Sequence, residues 1–270
     1  MPELPEVECV RRSLEPLVGC RVVEGRVIRS DVVTSIGGAP LDRPLVGCTI
    51  SGIRRRGKSL AVCCAEGPVL GVHLGMTGRV LMVDEGSPIE PHTHAVWRLS
   101  NGREMRFVDP RRFGGLWIAP TAAAFEAEVW SRLGPDALEI RADDLGETKT
   151  SRRPIKSMLL DQGLLAGVGN IYADEALFEA RVRPTRKGVR LTRIELERLA
   201  SAVRAVLARA ISAGGSTLRD YRNAQGQAGQ AQHGHRVYGR GGQPCTVCGD
   251  RLRKRLVAQR TTVWCSTCQS

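Results

Sequence analysis

The first eight residues carry an unusual density of groups that could do covalent chemistry. Met1 precedes the small residue Pro2, which favours removal of the initiator methionine, so we expect the mature chain to begin with the Pro2 ring nitrogen. An α-amino group has a pKa of about 7.7 to 8.0, so part of it is an unprotonated nucleophile near neutral pH. Glu3 and Glu6 follow closely and could donate or accept protons. A solvated, frayed chain end is the alternative interpretation.

Four cysteines near the other end have metal-ligand spacing. Cys245-x-x-Cys248 and Cys265-x-x-Cys268 are separated by sixteen residues, which predicts a zinc ribbon holding one structural Zn²⁺. Two disulfides are the poorer explanation for an intracellular chain. Between the two pairs lie five cations, expected on a two-stranded hairpin: Arg251, Arg253, Lys254, Arg255 and Arg260.

Other candidate residues lie in the first half of the chain. The basic run from Arg54 to Lys58 could meet phosphates, or it could be a solvated face. Asp109-Pro-Arg-Arg-Phe-Gly-Gly could thrust an aromatic and arginines into a duplex, and an ordinary type I turn explains it equally well. His92 and His94 have no convincing third ligand, so we expect hydrogen bonding rather than a metal site.

Composition narrows the class of partner. The chain has 40 Lys plus Arg against 28 Asp plus Glu, a net charge of +12 and a pI near 9.8, which favours a polyanion, with nucleic acid the leading candidate. No apolar run reaches transmembrane length, and the acidic start has no secretory signal. We therefore expect a cytoplasmic protein with no membrane partner.

The elements that must position these residues change type along the chain. Apolar residues recur at three- and four-residue steps from Val7 to Val18, which predicts a short helix. Short β-branched runs from Arg21 to Pro120 predict an all-β sandwich or flattened barrel, with a two-residue hairpin loop at Asn101-Gly102.

Helical periodicity returns after Pro154. We expect the acidic, then polar, segment from Asp136 to Thr150 to be an interdomain linker with few core positions. Asn170 is suited to capping a helix that runs to about Ala180, and the Gly167-Val-Gly169 sequence before it could let backbone N–H groups approach a phosphate. Thr192 and Glu195 predict a capping box for a long helix from Arg193 to Ala213.

Motifs in order along the whole chain resemble the formamidopyrimidine-DNA glycosylase family. Leu4 stands where the related endonuclease VIII enzymes typically have glycine, which favours the purine-lesion branch over the pyrimidine branch. A zinc-ribbon protein that binds nucleic acid without chemistry is the remaining alternative. The motifs that carry the resemblance are Pro2-Glu-Leu-Pro-Glu-Val-Glu8, Gly57-Lys58, His73-Leu-Gly-Met-Thr-Gly78, Asp109-Pro-Arg-Arg-Phe-Gly114, Gly167-Val-Gly-Asn-Ile-Tyr-Ala173, Val237-Tyr-Gly-Arg240 and Gln259-Arg260.

The resemblance implies an α+β multidomain fold with two domains hinged across a basic cleft. An N-terminal β-sandwich domain would be followed by a helical helix-two-turn-helix domain with a four-cysteine zinc ribbon. The implied ranges are 1–133 for the catalytic β-sandwich domain, 134–153 for the linker, 154–222 for the helix-two-turn-helix domain, 223–236 for a flexible lesion-capping loop, and 237–270 for the zinc ribbon.

The resemblance also implies a bifunctional base-excision repair enzyme that removes oxidised purines and nicks the strand. Pro2 would attack the anomeric carbon of the damaged nucleotide, and the resulting Schiff base would undergo β- then δ-elimination. Glu3 would transfer protons, Glu6 would support it, and Lys58 would be a catalytic, phosphate-contacting lysine.

Further residues are implied to contact damaged double-stranded DNA. Asn170 and Arg260 would pinch the phosphates that flank the lesion, while Arg111 would face the orphaned cytosine. The implied enzyme is a monomer with zinc and without a nucleotide cofactor. The remaining implied DNA contacts are His73, Met76, His92, Phe113, Lys156, Tyr172 and Tyr238.

One stretch departs from the family pattern. Relatives usually carry a glycine followed by aromatic residues in the loop that closes over a flipped 8-oxoguanine, whereas here the sequence is Gly229-Gln-Ala-Gln-His-Gly-His235. From Asn223 to His235 we see glutamine, glycine and alanine without an apolar anchor, which predicts a flexible linker. We therefore expect weaker capping of 8-oxoguanine.

Overall fold

The computed structural model describes residues 2–41 and 44–270, apart from the side chain of Glu147. The chain forms two compact units, one comprising Met1–Arg132 with Gly214–Gly229 and the other Leu133–Ala213 with Gln230–Ser270. Met1 lies outside the described residues, so its removal stays a prediction. Within the described ranges, no helix is long and apolar enough to cross a membrane.

The first unit contains two β-sheets, as the alternating β-branched runs predict. One sheet has the strand order β1-β7-β8-β6, and the other has the order β2-β9-β5-β4-β3, in which only the β2 and β9 pair is parallel. The strands are β1 Val22–Val27, β2 Val33–Ser35, β3 Ile50–Arg56, β4 Ser59–Cys64, β5 Val69–His73, β6 Arg79–Asp84, β7 Thr93–Leu99, β8 Arg103–Val108 and β9 Gly115–Ala119.

One apolar core joins both sheets to the N-terminal helix. Helix α1 (Leu4–Ser13) buries Val7 and Val10 in the same cluster as Leu60 of β4 and Trp97 of β7. Burial of each large apolar side chain contributes about 1.5–3 kcal/mol, so this packing fixes α1, and with it the chain start, on the sandwich.

A short helix after the last strand is absent from the sequence prediction. Helix α2 (Ala122–Phe125) continues as a wider turn over Glu126–Trp130, and the Trp130 Nε1 donates to Ser59 Oγ at 2.7 Å. A side chain at Gly71 would lie 2.2 Å from the Phe125 ring. Glycine is therefore required where α2 packs on β5.

The segment Gly214–Gly229 returns to the first unit and packs against α1. Ala224 is 2% exposed and belongs to the sandwich core, and its N–H donates to Ser13 Oγ. The expectation that residues 223–235 have no apolar anchor is therefore wrong. A lone alanine in a glutamine- and glycine-rich stretch gives no periodic signal, and backbone hydrogen bonds such as Met82 N to Ala224 O hold the segment in place.

The second unit is helical and ends in a hairpin. Its helices are α3 (Ile155–Leu159), α4 (Asn170–Glu179) and α5 (Arg193–Ser212), and its strands are β10 (Arg253–Val257) and β11 (Arg260–Trp264). The capping box of Thr192 and Glu195 starts α5 as predicted. One face of α5 is buried, at Leu196, Leu199, Val203, Val206 and Leu207.

Two local predictions for this unit are wrong. The segment predicted as a linker contributes Ala137, Ile140 and Leu145 to the buried interior and contains a 3₁₀ helix from Asp143 to Thr150. Its apolar residues follow neither helical nor strand periodicity, so the sequence pattern did not indicate that they are buried. Gly169 rather than Asn170 is the N-cap of α4, because the Asn170 amide bonds elsewhere.

Candidate functional site

The start of the chain is a buried cluster of acidic groups. Pro2 is buried, and Glu3 and Glu6 are only 3% and 1% exposed. The Glu6 Oε2 accepts a hydrogen bond from the Glu3 N–H at 2.8 Å, which closes the first turn of α1. Both carboxylates that were predicted to exchange protons near Pro2 are thus held in order at the start of α1. This order excludes the alternative of a frayed chain end.

The returning segment completes this cluster. The other Glu6 oxygen accepts from the Ser216 N–H at 2.7 Å, and the Tyr221 hydroxyl donates to the Glu6 carbonyl at 3.1 Å. Gly215 has φ of +82°, and a Cβ there would lie 3.1 Å from Glu6 Oε1. These partners lie over 200 residues away in sequence, so no local motif could reveal them.

Lys58 and His73 lie on neighbouring strand ends of the same sheet. Gly57 and Lys58 form the two-residue loop between β3 and β4, and Gly57 has the positive φ, +56°, that such a loop requires. Burial, and then the charge of Lys58, lower the pKa of His73. The half-buried imidazole is therefore neutral near neutral pH, and its Nδ1 accepts from the Gly75 N–H at 3.1 Å.

Three side chains project from two adjacent loops of the first unit. Met76 and Phe113 are 43% and 55% exposed, which is unusual for large apolar residues, and Arg111 is also exposed. The Arg111 guanidinium stacks on the Phe113 ring at 4.5 Å. The loops touch, because a Cβ at Gly75 would lie 2.3 Å from the Phe113 backbone. The structure thus brings the three predicted residues together.

The two strand-start histidines make hydrogen bonds to one residue, Asp109. His94 is buried, and its Nε2 lies 2.8 Å from the Asp109 carbonyl oxygen. His92 is exposed with φ of +65°, and its carbonyl accepts from the Asp109 N–H. The His94 ring thus has the hydrogen-bonding role that the sequence predicts, and the expected lack of a metal at these histidines stays a prediction. A DNA contact by His92 stays a prediction.

Asn170 and Arg260 lie close together in the second unit. The Asn170 Nδ2 donates at 3.1 Å to the carbonyl of Thr261, the residue after Arg260. Arg260 is exposed and follows a two-residue loop in which Ala258 and Gln259 have φ of +49° and +59°. Positive φ at both residues is what a two-residue type I′ hairpin loop requires, and alanine and glutamine adopt it less readily than glycine or asparagine.

Lys156 is the clearest correction among the predicted DNA contacts. Its side chain is completely buried, and Nζ lies 2.7 Å from Asp174 Oδ1, 2.8 Å from Thr262 Oγ1 and 3.1 Å from Thr261 O. Burial raises the pKa of Asp174 to about 6, against the opposing attraction of Lys156. With its ammonium enclosed, Lys156 fastens β11 to the helices instead of facing DNA in this structure.

The two predicted tyrosines differ in their surroundings. Tyr172 is 2% exposed and lines a cavity of about 720 Å³. Tyr238 follows a tight anchor in which Glu175 accepts from the backbone N–H groups of Arg236, Val237 and Tyr238 at 2.8–3.1 Å. The sequence did not predict this role for Glu175, because a glutamate in a helix is normally solvated. DNA contacts by both tyrosines stay predictions.

The four ribbon cysteines converge as their spacing predicts. Their Sγ atoms all lie within 4.8 Å of one another, with Cys245 to Cys268 at 3.9 Å and Cys248 to Cys265 at 3.5 Å. A tetrahedral zinc with bonds of about 2.3 Å requires sulfur separations of about 3.8 Å. Backbone N–H groups of Val247 and Cys268 point at two of the sulfurs, which favours thiolates, so the residues fit one structural Zn²⁺.

Comparison with known families matches this arrangement domain by domain. Residues 1–116 match the formamidopyrimidine-DNA glycosylase N-terminal domain. Residues 133–222 match the H2TH domain of the same enzymes, and residues 242–270 match the zinc finger found in Fpg and IleRS. The chain belongs to the formamidopyrimidine-DNA glycosylase family. It is accordingly a zinc-finger DNA glycosylase of DNA repair.

Curated relatives are similar along their full length. The formamidopyrimidine-DNA glycosylase of Pelotomaculum thermopropionicum is 41% identical over 273 residues, covering 100% of this chain and 99% of the relative. The Desulfitobacterium hafniense glycosylase is 42% identical over 273 residues and covers 100% of both. The family assignment therefore applies to the whole chain.

Solved structures of the family superpose closely on the chain. The MutM (Fpg) protein of Thermus thermophilus is 43% identical, with a TM-score of 0.87 and coverage of 99% of this chain and 98% of that one. A Lactococcus lactis Fpg mutant, G226P, in complex with DNA containing Fapy-dG is 33% identical, with a TM-score of 0.91 and full coverage of both. The predicted α+β fold is confirmed.

Proposed function

We propose that the chain is a bifunctional DNA glycosylase and abasic-site lyase acting on oxidised purines in duplex DNA. The Pro2 amine would attack C1′ of the damaged nucleotide, and the bond to the base would break as the base takes up a proton. The C1′–O4′ bond then opens as O4′ takes up a proton, which leaves an iminium between the Pro2 nitrogen and C1′. The iminium acidifies C2′, so that the 3′-phosphate and afterwards the 5′-phosphate leave by β- and δ-elimination. Zinc holds the ribbon and takes no part in these steps.

The observation that carries this proposal is the buried carboxylate pair beside Pro2. Glu6 is held by the N–H groups of Glu3 and Ser216, so it can fix the chain start. The Glu3 carboxylate, which caps the first turn of α1, is the group that we propose to exchange protons with the sugar and base. Lys58, on the same unit, adds a positive charge suited to a phosphate. Crystal complexes of Lactococcus lactis Fpg with Fapy-dG and with abasic-site DNA support the substrate class.

The remaining assignments follow from placement and charge. Asn170 and Arg260 would grip the phosphates beside the lesion, and Met76, Arg111 and Phe113 would fill the space that the lesion leaves. The partner is damaged double-stranded DNA, and we propose a monomer that uses no nucleotide cofactor. We propose a cytoplasmic location, on the nucleoid when DNA is bound.

Borohydride trapping tests the nucleophile directly. Borohydride reduces the iminium to a stable amine, so the untagged protein should become covalently linked to duplexes that contain a formamidopyrimidine or an abasic site. An uncleaved N-terminal tag, which acylates the Pro2 nitrogen, should abolish both nicking and trapping. Full-rate trapping by the tagged protein would refute Pro2 as the nucleophile, and adducts confined to oxidised pyrimidines would indicate an endonuclease VIII type of enzyme.

The composition of the loop at 229–235 supports a preference among lesions. This loop has no Phe, Tyr or Trp side chain to bury against a base, and residues Ala231–Gly234 form a short 3₁₀ turn, so the loop offers little aromatic surface to a flipped base. We propose that the enzyme caps 8-oxoguanine weakly and excises ring-opened formamidopyrimidines comparatively well.

A further inference from the structure

The loop that carries Arg111 and Phe113 is organised around one buried carboxylate, that of Asp109. Asp109 is completely buried at the end of β8. Its Oδ2 accepts from the Gly114 N–H at 2.7 Å, and its Oδ1 accepts from the Arg111 N–H at 3.3 Å. One side chain therefore closes the loop across both residues that project from it.

The same carboxylate also ties this loop to its neighbour. The Thr77 hydroxyl donates to Asp109 Oδ1 at 2.6 Å, and Thr77 follows the exposed Met76. The backbone of Asp109 is held as well, since its N–H donates to the His92 carbonyl and its carbonyl faces His94 Nε2. The loop of Met76 and the loop of Arg111 and Phe113 thus share one hydrogen-bonded centre.

Close packing leaves this centre little freedom. A Cβ at Gly114 would lie 2.6 Å from the His73 carbonyl and 3.1 Å from Asp109 Oδ2. His73 fixes the Met76 turn from the other side by accepting the Gly75 N–H. Both carboxylate oxygens of Asp109 accept hydrogen bonds, and buried polar groups that are satisfied in this way specify a single arrangement of their surroundings.

We infer that Asp109, with Thr77 as its partner, is a positioning residue that holds Met76, Arg111 and Phe113 in one rigid arrangement for entry into duplex DNA. This inference rests on the proposed function, because it concerns how the enzyme opens a duplex. Asp109 would not touch the reacting atoms. Its loss should impair the opening of the duplex and the reading of the opposite base while leaving the Pro2 chemistry intact.

Three variants and one control separate these effects. Asp109→Asn keeps the shape of the side chain but places an amide N–H₂ group where one carboxylate oxygen accepted a hydrogen bond, so that two donors face each other. Thr77→Val removes only the hydroxyl, and Thr77→Ser restores it. Asp31→Asn is the control, since it breaks the exposed ion pair of Asp31 with Arg112 in the same loop and leaves Asp109 untouched.

Each protein is examined in three assays. Single-turnover excision from duplexes with cytosine or adenine opposite the lesion measures recognition of the opposite base. Fluorescence of 2-aminopurine beside the lesion measures opening of the base stack. Borohydride trapping on a single-stranded abasic oligonucleotide measures the Pro2 chemistry alone. We expect Asp109→Asn, and less strongly Thr77→Val, to slow duplex excision by about 10- to 100-fold. Both variants should reduce the rise in 2-aminopurine fluorescence and bring the excision rates opposite cytosine and opposite adenine closer together. Borohydride trapping on the single-stranded oligonucleotide should not change.

The outcomes are distinguishable. We expect Thr77→Ser and Asp31→Asn to match the wild-type protein in excision, fluorescence and trapping. The inference is overturned if Thr77→Val and a folded Asp109→Asn leave the fluorescence rise and the opposite-base ratio unchanged, or if duplex and single-stranded activities fall together. If Asp109→Asn does not fold, the comparison of Thr77→Val with Thr77→Ser decides. A wild-type protein that fails to trap the single strand would refute the proposed function itself.

Discussion

Removal of the Lys156 ammonium should destabilise the second unit in a pH-dependent way. Lys156 and Asp174 are both completely buried, with Nζ and Oδ1 2.7 Å apart. Lys156→Met would leave a carboxylate enclosed without its counter-charge, and breaking a buried pair in this way costs about 3–5 kcal/mol of unfolding free energy. We expect this full cost at pH 8.5.

The pKa of Asp174 gives the direction of the pH dependence. Burial raises that pKa from 3.8 to about 6 even with Lys156 present, so its loss should raise the value further. A carboxyl with a folded-state pKa above its unfolded value stabilises the fold at low pH, and this contribution is lost as pH rises through the folded pKa. At pH 6 the variant carboxyl should be neutral, and the cost should be smaller by about 1–3 kcal/mol.

Hydrogen exchange of the hairpin at residues 253–264, with zinc kept saturating, measures this local stability at both pH values. Lys149→Met is the matched control, because Lys149 is exposed, and it should change nothing. The double variant Lys156→Met/Asp174→Asn should recover most of the loss at pH 8.5, since no unpaired charge remains. Equal costs at the two pH values, or no recovery in the double variant, would refute this account of the buried pair.

Three further predictions concern the ribbon and the loop before it. Arg260→Ala should keep zinc but bind DNA more weakly. The slope of the logarithm of its DNA-binding constant against the logarithm of salt concentration should be shallower by about 0.9 for each phosphate that is no longer neutralised. Cys245→Ala should lose both zinc and DNA binding, and metal analysis together with salt titrations of DNA binding checks both expectations. Ala258→Asn should stabilise the hairpin by up to about 1 kcal/mol, because asparagine tolerates the positive φ of that position; slower exchange at residues 253–264 would show it. A relative's aromatic loop grafted over residues 229–235 should speed 8-oxoguanine excision more than formamidopyrimidine excision, and equal native rates on the two lesions with no gain from the graft would contradict the capping proposal.

Features set by neighbours in sequence were predictable. The spacing of Cys245, Cys248, Cys265 and Cys268 predicted the ribbon because zinc geometry demands a fixed reach. Thr192 and Glu195 predicted the start of α5. Asn101-Gly102 predicted the hairpin between β7 and β8, but the expected two-residue loop is wrong, because Ser100 to Gly102 all lie between the two strands. Each signal is complete within a short stretch of chain.

Features set by distant partners were not predictable from pattern. The resemblance identified Lys156 as functional, yet its burial depends on Asp174 and on Thr262, more than 100 residues away. Ala224 joins a core built from the opposite end of the chain. Glu175 has an ordinary helical sequence context, and only the fold brings distant backbone N–H groups to its carboxylate. Asp109 bonds locally to Gly114, but its hydroxyl partner Thr77 lies 32 residues away.

The return of Gly214–Gly229 to the first unit bears on how this protein can be cut into pieces and made. A fragment that stops at Arg132 would lack the Ser216 N–H that holds Glu6 and would open the core at Ala224. During synthesis, the unit that carries Pro2 is complete only after residue 229 has left the ribosome. Glu6 leaves the ribosome early, but it acquires the Ser216 N–H as a hydrogen-bond partner only when the returning segment has been made.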